Sequence, residues 1–253
     1  MNKMEIEQSL KSLRLSGMSQ CLDTRVLQAQ TESMPHVSFL GYLVQDELSI
    51  RRDRLIDRRI KSAHFRDSNR TLENFDFGFN VETPKSKIFE LATSQFIEKK
   101  EDALFLGPPG TGKSHLVQAI GRTAILNGYQ VYYWETHLLL EALAEANLDG
   151  RRAEFFKESS KVDLLIVDDL GMRKLPSNAA EDLLELIMRR HNVKSTIITS
   201  NRPVEDWGTF LHDVPAVTAL LDRMLEHGRV IKCGPKSYRT HMRKTLPEKA
   251  KEN

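Results

Sequence analysis

The N-terminal part of the chain alternates apolar and polar positions with the period of α-helices. Within residues 5–30 apolar side chains recur every three or four positions, and Ser33-Met34-Pro35 then interrupts the pattern. A second periodic stretch follows and continues into an arginine-rich region. Such spacing gathers apolar residues on one helix face. We therefore predict a small all-helical N-terminal domain over residues 1–70, followed by a linker over residues 71–84.

Further along the chain, short apolar runs alternate with longer helical patterns. Strand–helix alternation of this kind is typical of a parallel sheet with helices on both faces. The predicted fold class is α/β, with a five-stranded parallel sheet flanked by helices in a domain over residues 85–243. The predicted strands are Ala103–Leu106, 130–134, 163–167, 195–199 and a last one near Arg229–Lys232, and the predicted helices are 85–99, Lys113–Leu126, 137–146, 151–160 and 177–191.

Composition narrows the class of protein without identifying it. The 253 residues are 40% hydrophobic and 28% charged, which is ordinary for a soluble globular protein. We find neither an apolar signal-peptide core nor a run of about 20 apolar residues, so we expect a cytoplasmic protein with no membrane association. Two distant cysteines, Cys21 and Cys233, exclude a disulfide scaffold and a zinc site built from cysteine alone.

The net charge is only +2, but positive charge is concentrated in two segments. Residues 51–70 hold eight Lys or Arg against three Asp, and residues 232–251 hold seven against one Glu. Basic segments attract polyanions such as nucleic acid. We also predict that residues 244–253 form a flexible basic tail. The candidate DNA contacts of the N-terminal domain are Arg51, Arg52, Arg54, Arg58, Arg59 and Lys61.

The strongest chemical signal is a complete P-loop between a predicted strand and a predicted helix. The sequence Gly107-Pro108-Pro109-Gly110-Thr111-Gly112-Lys113-Ser114 fits G-x-x-x-x-G-K-[ST] at every position. Its backbone N–H groups are expected to surround phosphates, while Lys113 reaches the β- and γ-phosphates and the Ser114 hydroxyl binds Mg²⁺. The helix that follows offers its positive end to the same anion. The sequence therefore predicts ATP and Mg²⁺ as cofactors, and we include His115 in the nucleotide-binding set.

Two further strand ends carry polar residues suited to ATP hydrolysis. The third predicted strand ends in Asp168 and Asp169. We expect Asp168 to hold Mg²⁺ directly or through water, and Asp169 to be the general base for the attacking water. Asn201 follows the fourth predicted strand, which in ATPases of this layout lies beside the P-loop strand, so Asn201 is expected to position that water. The structural alternatives are a helix N-cap for the acids and a turn for Asn201.

These residues are similar to those of AAA+ ATPases, whose P-loop typically reads Gly-Pro-Pro-Gly-Thr-Gly-Lys. Within that superfamily the chain resembles the IstB-like group of insertion-sequence transposition helpers, relatives of the DnaC-type helicase loaders. The resemblance covers roughly residues 5–243 and includes 13–18 (Leu-Arg-Leu-Ser-Gly-Met), 72–77 (Leu-Glu-Asn-Phe-Asp-Phe) and 237–239 (Ser-Tyr-Arg). It implies a P-loop AAA+ core, duplex DNA as ligand, a homo-oligomeric ring or spiral, and a cognate transposase as partner.

The resemblance also assigns roles outside the P-loop. Arg223 falls where this group keeps an arginine finger, which acts on the ATP of a neighbouring subunit, although a solvated helix Arg is the alternative. Arg239 falls where the group keeps a second-sensor arginine. The predicted helices over residues 137–160 take the place of the helix by which initiator-type relatives contact DNA. The candidate phosphate contacts there are Arg151, Arg152, Lys157 and Lys161, for which a solvated face is the alternative.

Two features depart from the wider superfamily. Most AAA+ ATPases end the third strand in Asp-Glu, whereas this chain has Asp168-Asp169, and the shorter second acid predicts hydrolysis that is slow or depends on assembly. Only 14 residues follow Arg239, which predicts no C-terminal lid domain. The nucleotide would then be covered by a neighbouring subunit or by the linker.

The predicted function is an ATP-dependent DNA-binding ATPase that assembles on duplex DNA and assists a transposase in target selection and insertion. The main alternative is a DnaC-type replicative helicase loader, but the arginine-rich segment 51–70 favours duplex DNA. A small-molecule kinase would need an arginine-bearing lid and an acceptor pocket in the same chain, and the sequence indicates no lid. A third alternative is a scaffold that binds nucleotide without hydrolysing it. The shorter acid at Asp169 leaves this alternative open.

Overall fold

The computed structural model describes residues 2–245 and divides into two compact units between Arg58 and Arg59. The first unit contains α1 (Lys3–Ser12), α2 (Ser16–Thr31) and most of α3 (His36–Ser62). The periodic stretch 5–30 is therefore two helices rather than one, because Arg14 adopts a left-handed φ of 58° between them. The prediction of an all-helical N-terminal region is confirmed.

A close approach of two helices organises the N-terminal unit. Gly17 on α2 lies so near Glu47 on α3 that a Cβ at position 17 would come within 2.8 Å of the Glu47 Cα atom. The buried Glu47 carboxylate accepts the Met18 N–H at 3.0 Å and pairs with Arg51 at 2.6 Å. Arg25 adds a two-bond ion pair with Asp46, both bonds at 2.7 Å. A glycine at position 17 is thus required by packing.

The second unit is built on a five-stranded parallel sheet with the order β2-β3-β4-β1-β5. This confirms the predicted sheet and places the fourth strand between the first and the third. The sheet interior is buried on both faces, as expected when helices cover it. The strands are β1 (Ala103–Leu106), β2 (Val131–Glu135), β3 (Leu164–Leu170), β4 (Ser195–Ser200) and β5 (Arg229–Lys232).

Nine helices of the described chain cover this sheet or flank it. The predicted helix 85–99 is broken at Ser94, whose φ is 65°. One short helix follows β5 and includes the first two residues of the predicted basic tail, 244 and 245, while the rest of that tail lies outside the described residues. No described helix is both long and apolar enough to cross a membrane. The helices are α4 (Lys85–Ala92), α5 (Gln95–Glu98), α6 (Lys113–Leu126), α7 (Thr136–Leu148), α8 (Arg152–Lys161), α9 (Ala179–Arg190), α10 (Trp207–Phe210), α11 (Val214–Glu226) and α12 (Tyr238–Thr245).

Candidate functional site

A cavity of about 680 Å³ lies where the P-loop leaves β1 and where β3 and β4 end. Parallel strands bring their carboxyl ends to one edge of a sheet, so residues distant in sequence meet there. The predicted residues that line the cavity are the P-loop from Pro109 to Ser114, His115, Asp169, Asn201 and Arg239. The other predicted P-loop residues, Gly107 and Pro108, line a second, more open pocket beside β5.

The P-loop backbone depends on glycine at two positions that face the cavity. Gly110 and Gly112 have φ values of 80° and 95°, which side chains rarely adopt. A Cβ at Gly112 would lie 2.5 Å from the Phe75 ring, and one at Gly110 would collide with the Ser237 hydroxyl. The loop is therefore closely surrounded, and its backbone N–H groups stay accessible only because these positions lack side chains.

Lys113 is a buried ammonium whose hydrogen-bond acceptors are backbone oxygens of its own loop. Its Nζ donates to Gly107 O at 2.7 Å and to Pro108 O at 3.0 Å. Burial lowers the pKa of Lys113, and the nearby Cys233, Asp169 and Asp168 partly oppose that shift. No carboxylate lies within ion-pair distance of Lys113 in the described chain, so a phosphate would give this buried cation the anionic partner it lacks.

The two acids at the end of β3 face different surroundings. Asp168 is fully buried and does not line the cavity, and its carboxylate accepts hydrogen bonds from Tyr133 at 2.6 Å and from Thr199. Asp169 lines the cavity, because an irregularity in the β3–β4 register and a left-handed φ of 61° turn it aside from the strand. Of the pair, Asp169 is thus the acid directed at the cavity.

The electrostatics of Asp169 suit a general base. Burial raises its pKa and the neighbouring Asp168 carboxylate raises it further, while Lys113 opposes the shift. A carboxylate with a raised pKa accepts a proton more readily at neutral pH. No cluster of three or more His, Cys, Asp or Glu side chains among residues 2–245 could hold a metal. A Mg²⁺ ion at this site would take most of its ligands from phosphate and water, which is usual for nucleotide-bound Mg²⁺.

Asn201 contributes an unpaired polar atom to the same cavity. Its Oδ1 atom is buried and has no hydrogen-bond partner among the described residues. The Ser200 hydroxyl just before it donates to Leu170 O at 2.8 Å, which ties the end of β4 to the end of β3. Buried polar atoms are nearly always hydrogen-bonded. The orphaned Oδ1 therefore suits a water molecule or a ligand atom, and the positioning of the attacking water by Asn201 stays a prediction.

The linker forms one wall of the cavity, and cover of the nucleotide by the linker was one of the two possibilities that the sequence suggested. His115 Nε2 lies 2.8 Å from Thr71 O, and the His115 and Phe75 rings meet edge-on at 5.3 Å. These contacts hold the linker against the first turn of α6. The cavity-lining residues from this region that sequence reasoning missed are Arg66, Asp67, Asn69, Arg70, Asn74, Phe75, Asp76, Phe79 and Asn80.

Asn80 connects the linker to the segment that carries Arg239. The Asn80 side chain donates to Lys236 O at 2.8 Å and accepts from Lys236 N at 3.0 Å, so it pairs with that backbone as a strand would. The Tyr238 N–H then donates to Gly110 O at 2.9 Å at the start of α12. Arg239 lies in this segment and lines the cavity, and its role as a second-sensor arginine stays a prediction.

Replacing Asn80 by Ala is expected to destabilise the protein by about 1–3 kcal/mol and to weaken ATP binding. The variant removes the buried Asn80 amide and leaves the Lys236 N–H and C=O without this hydrogen-bond partner, which is the costly way to lose a hydrogen bond. Chemical denaturation measures the first effect, and calorimetric titration with ATP measures the second. Asn69→Ala, which removes an exposed amide from the same cavity, is the control, and equal losses in both variants would contradict the role of Asn80.

Arg223 lies outside the cavity of its own chain. It projects from α11 with 36% of its side chain exposed and pairs with the adjacent Asp222 at 2.7 Å. An exposed pair of this kind contributes little stability and is readily exchanged for another partner. The position is compatible with action on a neighbouring subunit, which stays a prediction.

The candidate DNA contacts fall into two groups. Five candidates already have partners within the protein. Three form ion pairs, which are Arg51 with Glu47, Arg151 with Asp149 and Lys161 with Glu158. Two donate hydrogen bonds, Arg54 to Ser16 and Arg59 to Gly128 O. Arg152 has a structural role, because it joins α8 to α9 through Asp182 at 2.8 Å and Glu185 at 2.6 Å. The exposed candidates with neither an ion pair nor a side-chain hydrogen bond within residues 2–245 are Arg52, Arg58, Lys61 and Lys157.

Solved structures with the same architecture include a helicase loader and a replication initiator. A DnaC helicase loader is 25% identical, with a TM-score of 0.56 over 65% of this chain and 97% of the loader. The replication initiator DnaA bound to AMPPCP and single-stranded DNA is 22% identical, with a TM-score of 0.56 over 74% of this chain and 59% of DnaA. The second likeness concerns the fold alone, and the P-loop AAA+ fold is confirmed.

Sequence comparison relates the chain to proteins of insertion sequences. The ATP-binding protein of insertion sequence IS5376 from Geobacillus stearothermophilus is 33% identical over 250 residues, which are 99% of each chain. That of IS21 from Pseudomonas aeruginosa is 32% identical over 93% of this chain and 88% of its own length. The model of the family described as IstB-like ATP binding protein matches residues 8–245. This chain therefore belongs to the IstB-like ATP binding protein family.

Proposed function

We propose that this protein is a Mg²⁺-dependent ATPase that assembles on duplex DNA and assists a transposase in choosing and joining a target site. The observation that carries the ATPase is the meeting of Lys113, Asp169, Asn201 and Arg239 around one cavity. The transposition role is supported by family membership and by relatives named as insertion-sequence ATP-binding proteins. A transposase encoded in the same element is the expected partner.

The residues around the cavity have different roles in ATP hydrolysis. The P-loop backbone and Lys113 bind the β- and γ-phosphates, and Ser114 binds the metal ion. The Asp169 carboxylate accepts the proton of the attacking water, while the unpaired Asn201 Oδ1 orients that water. Bound Mg²⁺ supplies neutralisation of the charge that develops on the phosphate oxygens. Arg239, which also lines the cavity, adds positive charge near the phosphates.

DNA binding is proposed to rest on exposed basic side chains that contact phosphates. Arg52, Arg58, Lys61 and Lys157 are exposed, whereas Arg152 is engaged with two carboxylates. Phosphate contacts position a protein without reading sequence, and their strength falls steeply with salt. We therefore expect weak sequence preference and strong dependence on ionic strength.

A replicative helicase loader is the second candidate, because the fold covers 97% of a DnaC loader structure. The two functions differ in the ligand of the N-terminal region. A loader would bind a hexameric helicase and show no nucleotide-dependent assembly on duplex DNA. Pull-down of the protein with a purified replicative helicase, beside the duplex assay below, separates the two.

Lys113→Ala is expected to abolish ATP-driven assembly on DNA. The substitution removes the cation that binds the β- and γ-phosphates, so ATP cannot stabilise the subunit contacts. Binding of a labelled random duplex would be measured by anisotropy with ATP, with ADP and without nucleotide, and each mixture would be sized by light scattering.

Lys87→Ala, which removes an exposed Lys on α4, is the matched control and should assemble normally. Large complexes that form with ATP and are lost in Lys113→Ala support the proposal. Duplex binding that is absent, or that ignores nucleotide, refutes it.

A further inference from the structure

Asp168 is held by hydroxyl groups from three different elements. The Tyr133 hydroxyl on β2 donates to Asp168 Oδ2 at 2.6 Å, and the Thr199 hydroxyl on β4 donates to Oδ1. The Thr136 hydroxyl, at the start of α7, donates to the backbone oxygen of Asp168 at 2.8 Å. All four residues are buried. The acid therefore has a fixed orientation before any ligand arrives.

The Asp168 carboxylate has no positively charged partner among the described residues. Across residues 2–245, no Lys, Arg or His lies within ion-pair distance of the Asp168 carboxylate. Burying a carboxylate without a counter-charge is costly unless other donors stabilise it. The two hydroxyls serve as those donors. Each carboxylate oxygen has two lone pairs and accepts one hydroxyl, so one lone pair on each is left without a hydrogen-bond partner among the described residues.

Of the two hydroxyls that donate to the Asp168 carboxylate, that of Tyr133 forms no other hydrogen bond among the described residues. Its ring packs against Phe65, with centroids 6.1 Å apart, and a Phe side chain would fill the same space. Thr199, by contrast, also accepts the Asp169 N–H at 3.0 Å and so supports the turned backbone of Asp169. The Tyr133 hydroxyl touches Asp168 alone among the described side chains.

We propose that Tyr133 is a positioning residue for Mg²⁺ at the nucleotide site, acting through Asp168. The inference rests on the proposed ATP-binding function. The hydroxyl fixes the orientation of the Asp168 carboxylate, which with Ser114 would help to hold a Mg²⁺ ion through water. Outer contacts of this kind hold the ligands of a metal in place, and losing one typically costs about 10- to 100-fold in metal affinity.

The test is the dependence of ATP binding on Mg²⁺ in Tyr133→Phe. Dissociation constants for ATP would be measured by isothermal titration calorimetry in EDTA and at saturating Mg²⁺, and their ratio reports the contribution of the metal. We expect the ratio to fall by about 10- to 100-fold while the constant in EDTA is unchanged. Tyr132→Phe, which alters the neighbouring half-buried tyrosine on β2, should keep the original ratio.

Several outcomes would overturn the inference. An unchanged ratio in Tyr133→Phe does so, and so does an equal fall in Tyr132→Phe, which would point to general loosening of β2. If Tyr133→Phe does not fold, Tyr133→Leu decides, since it also removes the hydroxyl that donates to Asp168 and leaves Thr199 and Asp169 unaltered. There a fall in the ratio supports the inference and an unchanged ratio refutes it. Absence of ATP binding in the unaltered protein would instead refute the proposed function itself.

Discussion

Arg223→Ala is expected to lower the rate of ATP hydrolysis by about 10³- to 10⁵-fold while leaving ATP binding by the monomer unchanged. An arginine that neutralises transition-state charge contributes an effect of this size. Arg223 lies on α11, away from the cavity of its own chain, and its exposed side chain pairs only with Asp222 among the described carboxylates. It can reach a phosphate only if a second subunit presents its cavity to α11.

Mixing two inactive variants separates action in trans from a structural defect. Arg223→Ala keeps an intact nucleotide cavity but lacks the finger, whereas Lys113→Ala keeps the finger but lacks nucleotide binding. In a mixture, subunits of the first variant can bind ATP beside the Arg223 of the second. We expect phosphate release from the mixture on DNA to exceed the sum of the two variants measured alone.

The control for this experiment is Asp222→Asn, which removes the partner of Arg223 without removing the finger. Its turnover should stay within a few-fold of the starting value, because exposed ion pairs contribute about 0–1 kcal/mol. A mixture no more active than its components, or an Arg223→Ala variant of unaltered turnover, would show that Arg223 is not a finger.

The sheet and the P-loop could be predicted because their signals are local. The strand Ala103–Leu106 is a short apolar run bounded by the P-loop, and its bounds agree with the structure. The helix breaks at Arg14 and Ser94 were missed, because both residues adopt left-handed backbone angles without being glycine. Periodicity carries no information about such angles, since it reports only which side chains face the core.

Separate roles for Asp168 and Asp169 were predicted, but sequence reasoning could not show that Asp168 is fully buried while Asp169 lines the cavity. The pair marks the end of a strand, but β3 continues to Leu170, and the register irregularity that redirects Asp169 arises from pairing with β4. Tyr133, Asn80 and Arg190 were missed for a similar reason. Their partners are distant in sequence, so no spacing pattern connects them. The short segment after Arg239 was the sign that the linker could belong to the site, but it did not indicate which linker residues line the cavity.

The side of the sheet away from the nucleotide is held by one buried arginine. Arg190, the last residue of α9, donates from Nε to Thr196 Oγ1 at 3.0 Å and from Nη2 to Ser195 O at 2.5 Å. Its Nη1 donates to Ser159 O at 2.7 Å and to Val162 O at 3.1 Å. It thus joins α8, the entry to β3 and the start of β4. Burial lowers its pKa to about 10, which leaves it charged at neutral pH.

Arg190→Met is therefore expected to lower the free energy of unfolding by about 3–5 kcal/mol. The variant keeps the volume but leaves buried oxygens without donors, and removing one partner from a buried charged network has a cost of this size. Equilibrium denaturation in urea measures the loss. The control is Arg189→Met, next in the chain, whose half-exposed ion pair with Glu185 predicts a change of about 1 kcal/mol or less.

The loss in Arg190→Met should also be larger at pH 8 than at pH 6. Burial raises the pKa of Asp102 to about 7, and the positive charge of Arg190 limits that rise. An acid whose pKa is raised on folding lowers stability as pH climbs from its unfolded value towards its folded value. Without Arg190 the folded pKa rises further, which extends this decline above pH 7. A loss that is small, or that matches Arg189→Met at both pH values, would show that the buried network is not what holds α8 and α9 to the sheet.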